Sequence, residues 1–332
     1  MEPVRWGILS TAKIGRGKVI PGLMKSPICK VVAIGSRAEE TARDVASELG
    51  IAKAYGSYED VLADPDVEAI YNPLPNHLHV PLTLAAARAG KHVLCEKPIA
   101  ITADEAKLLK DAAAKVLITE AFMVRHHPQW LAARQMIQEG QIGDMRTIQV
   151  AFSYFNTDPG NIRNKADIGG GGLLDIGCYA VVAGRYFFDT EPLRVVALID
   201  RDAGFGVDRM TSALLDFGAG RQLIFTVSTQ TVPYQRVQIL GTDGRIEIEV
   251  PFNAPPDRPT RVIVDDGSLP AGGAAQVIEL PPVDQYQLQG EAFARAIRGI
   301  EPLAYGLNDA LQNMRILDAL CRSESSSGWE TI

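Results

Sequence analysis

Val4-Arg5-Trp6-Gly7-Ile8-Leu9-Ser10-Thr11-Ala12-Lys13-Ile14-Gly15 stands near the start of the chain and runs directly into Arg16–Lys25. The apolar run Val4–Ser10 predicts a strand and Gly15–Lys25 a helix, joined by a tight turn of small residues. In a turn of this kind the pattern Gly-x-Gly-x-x-Gly lets the backbone approach a pyrophosphate at a helix N-terminus. Gly15 holds the third position here, while Ser10 and Ala12 replace the first two glycines. Small side chains still permit close approach, so Ser10, Thr11, Ala12, Lys13, Ile14 and Gly15 are candidates for holding a dinucleotide. An ordinary strand–helix turn can carry the same residues, and the surroundings must decide.

Working outward, the strand–helix alternation repeats. Lys30–Ser36 reads as a strand, and Ala42, Val45, Ala46 and Leu49 form one helical stripe that stops at Gly50. Glu68–Tyr71, His92–Cys95 and Val116–Thr119 are further strands. Val80–Ala89 is a helix closed by Gly90, and Thr102-x-x-Glu105 opens another with a capping box. Such alternation with short connections predicts an α/β fold, a doubly wound parallel sheet of the Rossmann type. After residue 125 strands follow one another: Met145–Asn156, Arg194–Asp200, Arg209–Phe217, Arg221–Thr229, Arg236–Leu240 and Arg245–Val250. Consecutive strands through short turns predict a mainly antiparallel sheet. Helices are expected over Leu173–Phe188, Tyr286–Arg298 and Asn308–Cys321, a loop over Pro251–Gly273, and a frayed tail over Ser323–Ile332. The expected domains are 1–123, dinucleotide-binding, and 124–332, an α+β unit for substrate binding and self-association.

A parallel sheet binds its ligand outside the carboxyl ends of the strands. After the second strand comes Gly35-Ser36-Arg37, with no carboxylate until Glu39. An acid there selects NAD by holding the ribose; its absence, with Ser36 and Arg37 able to meet a 2′-phosphate, favours NADP over NAD. Ser36 with Glu39 also fits a capping box. The strand Glu68–Tyr71 runs into Asn72-Pro73-Leu74-Pro75-Asn76-His77-Leu78-His79, where two prolines fix an extended loop. Asn72, Leu74, Pro75, Asn76 and His79 are candidates for lying against the cofactor. No third ligand joins His77 and His79 at metal-site spacing, nor does His126-His127 complete a set, so no metal is expected. The strand His92–Cys95 ends in Cys95-Glu96-Lys97-Pro98, placing Glu96 and Lys97 at the crevice; a solvated lysine is the plainer reading. Four glycines, Gly169–Gly172, run into Leu173-Leu174-Asp175-Ile176-Gly177-Cys178-Tyr179. Asp175 and Tyr179 are spaced to share a helix face, and a tyrosine near a lysine can exchange a proton with an alcohol. A glycine hinge before a core helix with a buried tyrosine is the competing reading.

The 332 residues carry 33 basic and 40 acidic side chains, a net −7, with no Lys/Arg cluster, so nucleic acid is not an expected partner. No sequence run reads as a membrane span or a signal peptide, and the four cysteines are far apart with no Cys-x-x-Cys. A cytoplasmic location is the expectation.

These pieces together resemble the glucose–fructose oxidoreductase/inositol dehydrogenase (Gfo/Idh/MocA) family, through residues 6–15, 72–79, 89–98 and 169–179 in the same order and spacing. The resemblance implies a Rossmann domain holding NADP or NAD, and an open-faced second sheet behind the substrate that packs against another subunit as homodimer or homotetramer. It also implies that Lys97 and Tyr179 form the catalytic pair, with Asp175 orienting or binding substrate. Tyr179, where inositol dehydrogenases carry His, is similar to the sugar and dihydrodiol branch, as is Asn161-Ile162-Arg163, which makes Arg163 a candidate contact for cofactor or substrate. Glu120, Arg125, His126 and Phe155 are candidate liners. The expected activity is hydride transfer between nicotinamide and a hydroxyl-bearing carbon of a sugar or cyclic diol. The alternatives are a non-catalytic cofactor sensor of the same fold, or a transhydrogenating enzyme that never releases its nucleotide.

Overall fold

The computed structural model describes residues 2–332. The chain divides into two compact units, Met1–Met123 with Asp284–Met314, and Val124–Val283 with Arg315–Ile332.

In the first unit six parallel strands form one sheet: β1 (Val4–Leu9), β2 (Cys29–Gly35), β3 (Lys53–Tyr55), β4 (Ala69–Asn72), β5 (His92–Cys95) and β6 (Ile118–Glu120). Their order is β3-β2-β1-β4-β5-β6. The chain moves outward from β1 and then returns to β4 on its other side, so the β1/β4 gap is the point where winding reverses. Val4, Trp6, Ile8 and Leu9 on β1 and Val31–Ile34 on β2 are buried on both faces, the continuous apolar run that a doubly covered sheet needs. Helix Glu39–Leu49 turns Ala42, Val45 and Ala46 inward and ends at Gly50, whose φ of 71° suits a residue without Cβ. At the start of helix Ala103–Lys107, Thr102 Oγ1 accepts the Glu105 N–H at 3.2 Å and the Glu105 carboxylate accepts the Ile101 N–H at 3.1 Å.

The expected division into 1–123 and 124–332 is altered by a return of the chain. Helix Gln285–Ile297 crosses helix Ile20–Lys25 where both carry glycine: a Cβ on Gly22 would stand 2.9 Å from the Gln287 nitrogen, and one on Gly290 would collide with Leu23. Beneath the crossing Phe293 packs on Trp6, ring centroids 5.8 Å apart. Arg298 then clamps Glu68 at 2.9 and 3.0 Å. These contacts join Asp284–Met314 to the first unit.

The second unit is built on a nine-stranded sheet: β7 (Met145–Phe155), β8 (Arg194–Arg201), β9 (Asp208–Asp216), β10 (Gln222–Ser228), β11 (Gln230–Gly241), β12 (Arg245–Ile248), β13 (Thr260–Asp265), β14 (Gln276–Leu280) and β15 (Glu330–Thr331). The order is β14-β13-β12-β11-β7-β10-β9-β8-β15. All neighbours are antiparallel except β7 and β10, which run parallel at the centre. Two expectations fail here. Pro251–Gly273 contains β13, whose turn residues mask a strand paired on both edges. Ser323–Ile332 is not frayed, because helix Leu307–Ser326 continues into it, Ser323 is buried, and β15 pairs with β8.

Helix Cys178–Phe188 lies against one face of this sheet and every residue of it is buried. The run 166–188 has the length and apolarity of a membrane span, and the structure uses it as a core segment. Gly184 allows close approach: a Cβ there would stand 2.9 Å from both Leu223 and Phe217. Trp130 stacks on Phe187 at 5.1 Å, and its indole N–H donates to the Pro251 carbonyl at 2.8 Å. The opposite face of the sheet exposes Leu198, Met210 and Ile224.

Candidate active site

Three segments of the first unit stand at the carboxyl ends of its strands. After β1, Ser10 has φ 111°, a conformation that glycine adopts readily and a serine rarely. The backbone therefore makes the tight glycine turn although the residue has changed. Its N–H donates to the Gly35 carbonyl at 2.9 Å, and its Oγ accepts the Ala12 N–H at 3.1 Å. The helix begins at residue 13 and passes through a π-helical turn, Gly15–Val19. A Cβ on Gly15 would meet Tyr71 and Pro73 only at 3.5 and 3.7 Å. Nothing in the protein forces glycine there; what it adds is a backbone without a side chain near the helix start. A glycine-like turn, small residues and a helix start at the winding reversal fit the pyrophosphate of a dinucleotide.

After β2, Ser36 is half-buried and Arg37 is exposed. Helix Glu39–Leu49 starts from Ala38 with no side-chain cap, so the capping-box alternative for Ser36 and Glu39 is not realised. Glu39 instead pairs with Arg43 at 2.5 Å.

After β4 and β5 the assignments separate. Asn72 is wholly buried, donating to the His79 carbonyl at 3.2 Å and accepting the Leu74 N–H at 3.3 Å. The His79 ring lies between the Leu74 and Pro98 carbonyls at 2.7 and 2.6 Å, and burial pushes its pKa down to about 4. Asn72 and His79 thus tie the Leu74 loop to the Lys97-Pro98 turn with side chains enclosed in the fold. The polar side-chain groups of both residues are engaged within the fold, and Leu74 is likewise buried. Pro75, Asn76, Glu96 and Lys97 are half-buried. Glu96 accepts the Tyr71 hydroxyl at 2.7 Å, and burial with that neighbouring carboxylate holds the Tyr71 phenol well above its ordinary range. Glu120 accepts the Ile99 N–H at 2.8 Å, fixing the far side of the lysine turn.

The second unit brings Arg163 onto Asp175, four residues before Tyr179 in the same helical segment. The first three glycines of the run have separate causes: Gly169 has φ 81°, Gly170 packs 2.6 Å (from a notional Cβ) on the Arg163 and Lys165 carbonyls, and Gly171 has φ 117° against Asp208. Leu173–Gly177 is a π-helical turn, a feature common at functional sites, and it carries Asp175. Asp175 Oδ2 accepts the Tyr154 hydroxyl at 2.6 Å and Arg163 Nε at 2.7 Å. Arg163 is therefore engaged with a carboxylate. Tyr179 is buried, its ring 5.4 Å from Phe252 and 6.0 Å from Phe152. Phe155 is exposed, on the face of β7 opposite Phe152 and Tyr154, and does not line this cluster.

Two residues here escape a reading of the sequence. Tyr154 is marked only by sharing the inward phase of β7 with Phe152. Asp208 has no local signal, yet its carboxylate accepts the Leu173 N–H at 2.6 Å and the Thr211 hydroxyl at 3.3 Å. Burial pushes the Asp208 pKa up to about 6. Among the described residues no group of three or more His, Cys, Asp or Glu is placed to hold a metal.

Residues 4–122 match the oxidoreductase family with an NAD-binding Rossmann fold, and residues 130–247 match the GFO/IDH/MocA C-terminal domain. The chain belongs to the Gfo/Idh/MocA family of oxidoreductases. It is a nicotinamide-dependent oxidoreductase. It is 46% identical to an uncharacterized oxidoreductase of Rhizobium meliloti over 100% of both chains. It is 38% identical to D-xylose 1-dehydrogenase (NADP(+)) 2 of Haloferax volcanii over 96% of each. A solved 3-ketoreductase from Actinomadura kijaniata, in complex with NADP and TDP-benzene, superposes with TM-score 0.90 at 30% identity, covering 97% of this chain and 98% of that one.

Proposed function

We propose that this enzyme interconverts an alcohol and a carbonyl on a sugar or cyclic diol, with NADP preferred to NAD. In the oxidising direction the balance is alcohol plus NADP⁺ to carbonyl plus NADPH plus one proton. The nicotinamide, when bound, supplies the hydride acceptor or donor. Tyr179 takes the hydroxyl proton as the hydride leaves carbon, and returns it in reduction. Lys97 donates to the reacting oxygen and favours the ionised phenol. Asp175 accepts the hydroxyl on the neighbouring carbon.

The observation that carries this reading is Asp175, held by Tyr154 and Arg163 one turn before Tyr179 on the same helical segment. The pairing of Tyr179 with Lys97 is supported by the family pattern. NADP is supported by the exposed Arg37 after β2 and the absence of an acid there. The relatives named for D-xylose and for a 3-keto sugar support a sugar-like substrate.

A panel of D-xylose, D-glucose, anhydrofructose, myo-inositol and a cyclic trans-diol, each with NADP and NAD and with keto substrates in reverse, tests the reading. Turnover of at least one polyol with NADP above NAD is expected. No turnover across the panel in either direction refutes it. Self-association through the sheet face opposite helix Cys178–Phe188 is part of the same proposal, since Leu198, Met210 and Ile224 expose apolar surface there. Sedimentation should give a dimer or tetramer that Leu198→Glu with Ile224→Lys converts to monomer; a monomeric wild type removes this part.

A further inference from the structure

Asp175 is held by more than its own helix. Its Oδ2 receives two donors from separate elements, Tyr154 Oη on β7 and Arg163 Nε in the turn Ile162–Asn164. The Asp175 side chain is 12% exposed, so these donors act in a partly desolvated setting where hydrogen bonds to charge are strong. Arg163 offers a flexible, half-exposed guanidinium. Tyr154 offers a rigid ring on a central strand, and two donors converging on one oxygen fix the plane of the carboxylate.

Tyr154 can only be the donor in this pair. Burial and then the Asp175 charge push its phenol far above the ordinary range, with Asp208 adding to the rise and Arg163 opposing it. The phenol is thereby favoured in its protonated form, the form that donates to the Asp175 carboxylate.

We infer that Tyr154 is a positioning residue: its hydroxyl fixes Asp175 as acceptor for the substrate hydroxyl beside the reacting carbon, and so selects vicinally hydroxylated substrates. This rests on the proposed function, in which Asp175 binds that hydroxyl. A carboxylate free to rotate would accept the same hydroxyl with loss of alignment; one held by two donors presents its remaining lone pairs in fixed directions. The selection is therefore built by a side chain that need not touch the substrate.

The test uses the full-length protein and Tyr154→Phe, which keeps the ring and removes one oxygen. The substrate is the best polyol from the panel, with its analogue lacking the hydroxyl next to the reacting carbon. For the polyol, KM should rise about 10-fold, part of the worth of the charge-assisted substrate hydrogen bond whose alignment is lost, with kcat changed less and the Kd for NADPH unchanged. For the deoxy analogue, wild type and Tyr154→Phe should have equal KM within about twofold, because the contact that Tyr154 supports is already gone. An unchanged KM for the polyol, or an equal rise for both substrates, overturns the inference. So does a fall in kcat of about 1,000-fold at constant KM, which would make Tyr154 the proton carrier.

Asp175→Asn separates the two levels. If it leaves the polyol's KM and kcat untouched, the functional reading of Asp175 fails; if it impairs turnover while Tyr154→Phe does not, only the present inference fails. A readout independent of turnover is a double-mutant cycle of urea unfolding with Tyr154→Phe, Asp175→Asn and both. The unfolding constants should be non-additive by about tenfold, and additivity removes the Tyr154–Asp175 coupling on which the inference stands.

Discussion

Replacing Gly171 with alanine should damage the second unit far more than the same change one residue later. Gly171 has φ 117°, a region costing an alanine about 1–3 kcal/mol. Its new Cβ would also fall within the radius of Asp208 Oδ1 and stand 3.1 Å from Cγ. The carboxylate cannot swing away without cost, because Oδ2 holds the Leu173 N–H at 2.6 Å. Losing that bond to a buried acceptor adds about 1.5–3 kcal/mol. The two effects sum to roughly 2.5–6 kcal/mol. Gly172→Ala meets Asp208 Oδ2 and Thr229 Cγ2 at 3.3 Å with helical φ −72°, and a shift of a few tenths of an ångström relieves it. Its cost is about 1 kcal/mol or less. Urea unfolding of the wild type and both variants decides this, reading midpoints because two compact units do not guarantee a two-state transition. Gly171→Ala should lower the midpoint of the transition involving the second unit by roughly 1 M or more. Adding Asp208→Ala removes the obstacle, so the double variant should lose less than the sum of the singles. Equal midpoints for Gly171→Ala and Gly172→Ala, or strict additivity with Asp208→Ala, would refute the steric argument.

Other expectations follow from the same geometry. Tyr179→Phe should lower kcat by about 10²–10⁴-fold while NADPH binding, followed by fluorescence titration, stays near wild type; unchanged turnover sinks the acid/base role. Arg37→Ala should raise KM for NADP by about tenfold or more and leave NAD nearly unaffected, a charge-assisted contact to the 2′-phosphate being what is lost; equal effects on both cofactors exclude that contact. The folded-state pKa of Asp208 is raised from 3.8 to about 6. Its titration therefore favours the fold most below the unfolded pKa, and this contribution is lost as pH rises through about 6. Relative to Asp208→Asn, the wild type should gain up to roughly 3 kcal/mol as pH falls from about 7 to about 4. Stability curves that run parallel over that range contradict the assignment.

The Rossmann half was legible because its signals are local. Apolar runs between glycine-bounded helices report a doubly covered sheet, and strand ends report where a ligand sits. Even the altered turn was readable, since Ser10 adopts the glycine conformation its position implies. Helix Gln285–Ile297 was visible as a helix, but its attachment depends on Gly22 facing Gly290 across more than 260 residues, which no window can show. β13 was hidden by the proline and aspartate content around it, although Val262 sits buried between two paired neighbours. At the site the sequence gives residue types at spacing and nothing of their partners. Asn72 and His79 carry the right polar groups at the right strand end, yet the fold consumes those groups internally. Tyr154 and Asp208 matter through contacts 21 and 35 residues away.

Those two missed residues also explain why the site is costly to hold. The Tyr154 hydroxyl is half-buried and the Asp208 carboxylate buried, and taking either from water costs free energy. Packing would be satisfied by phenylalanine at 154, beside Phe152 and Phe252, which already stack at 4.6 Å. A sequence shaped for stability alone would have little use for the phenol oxygen. That oxygen donates to Asp175, itself of no value to the hydrophobic core. The same holds for Gly171, whose strained φ exists to admit the Asp208 carboxylate beneath the helix start. Polar groups that oppose burial, connected in series to the segment bearing Asp175 and Tyr179, are what a site needs and a core does not. Stabilising substitutions along this series should therefore be the ones that cost activity.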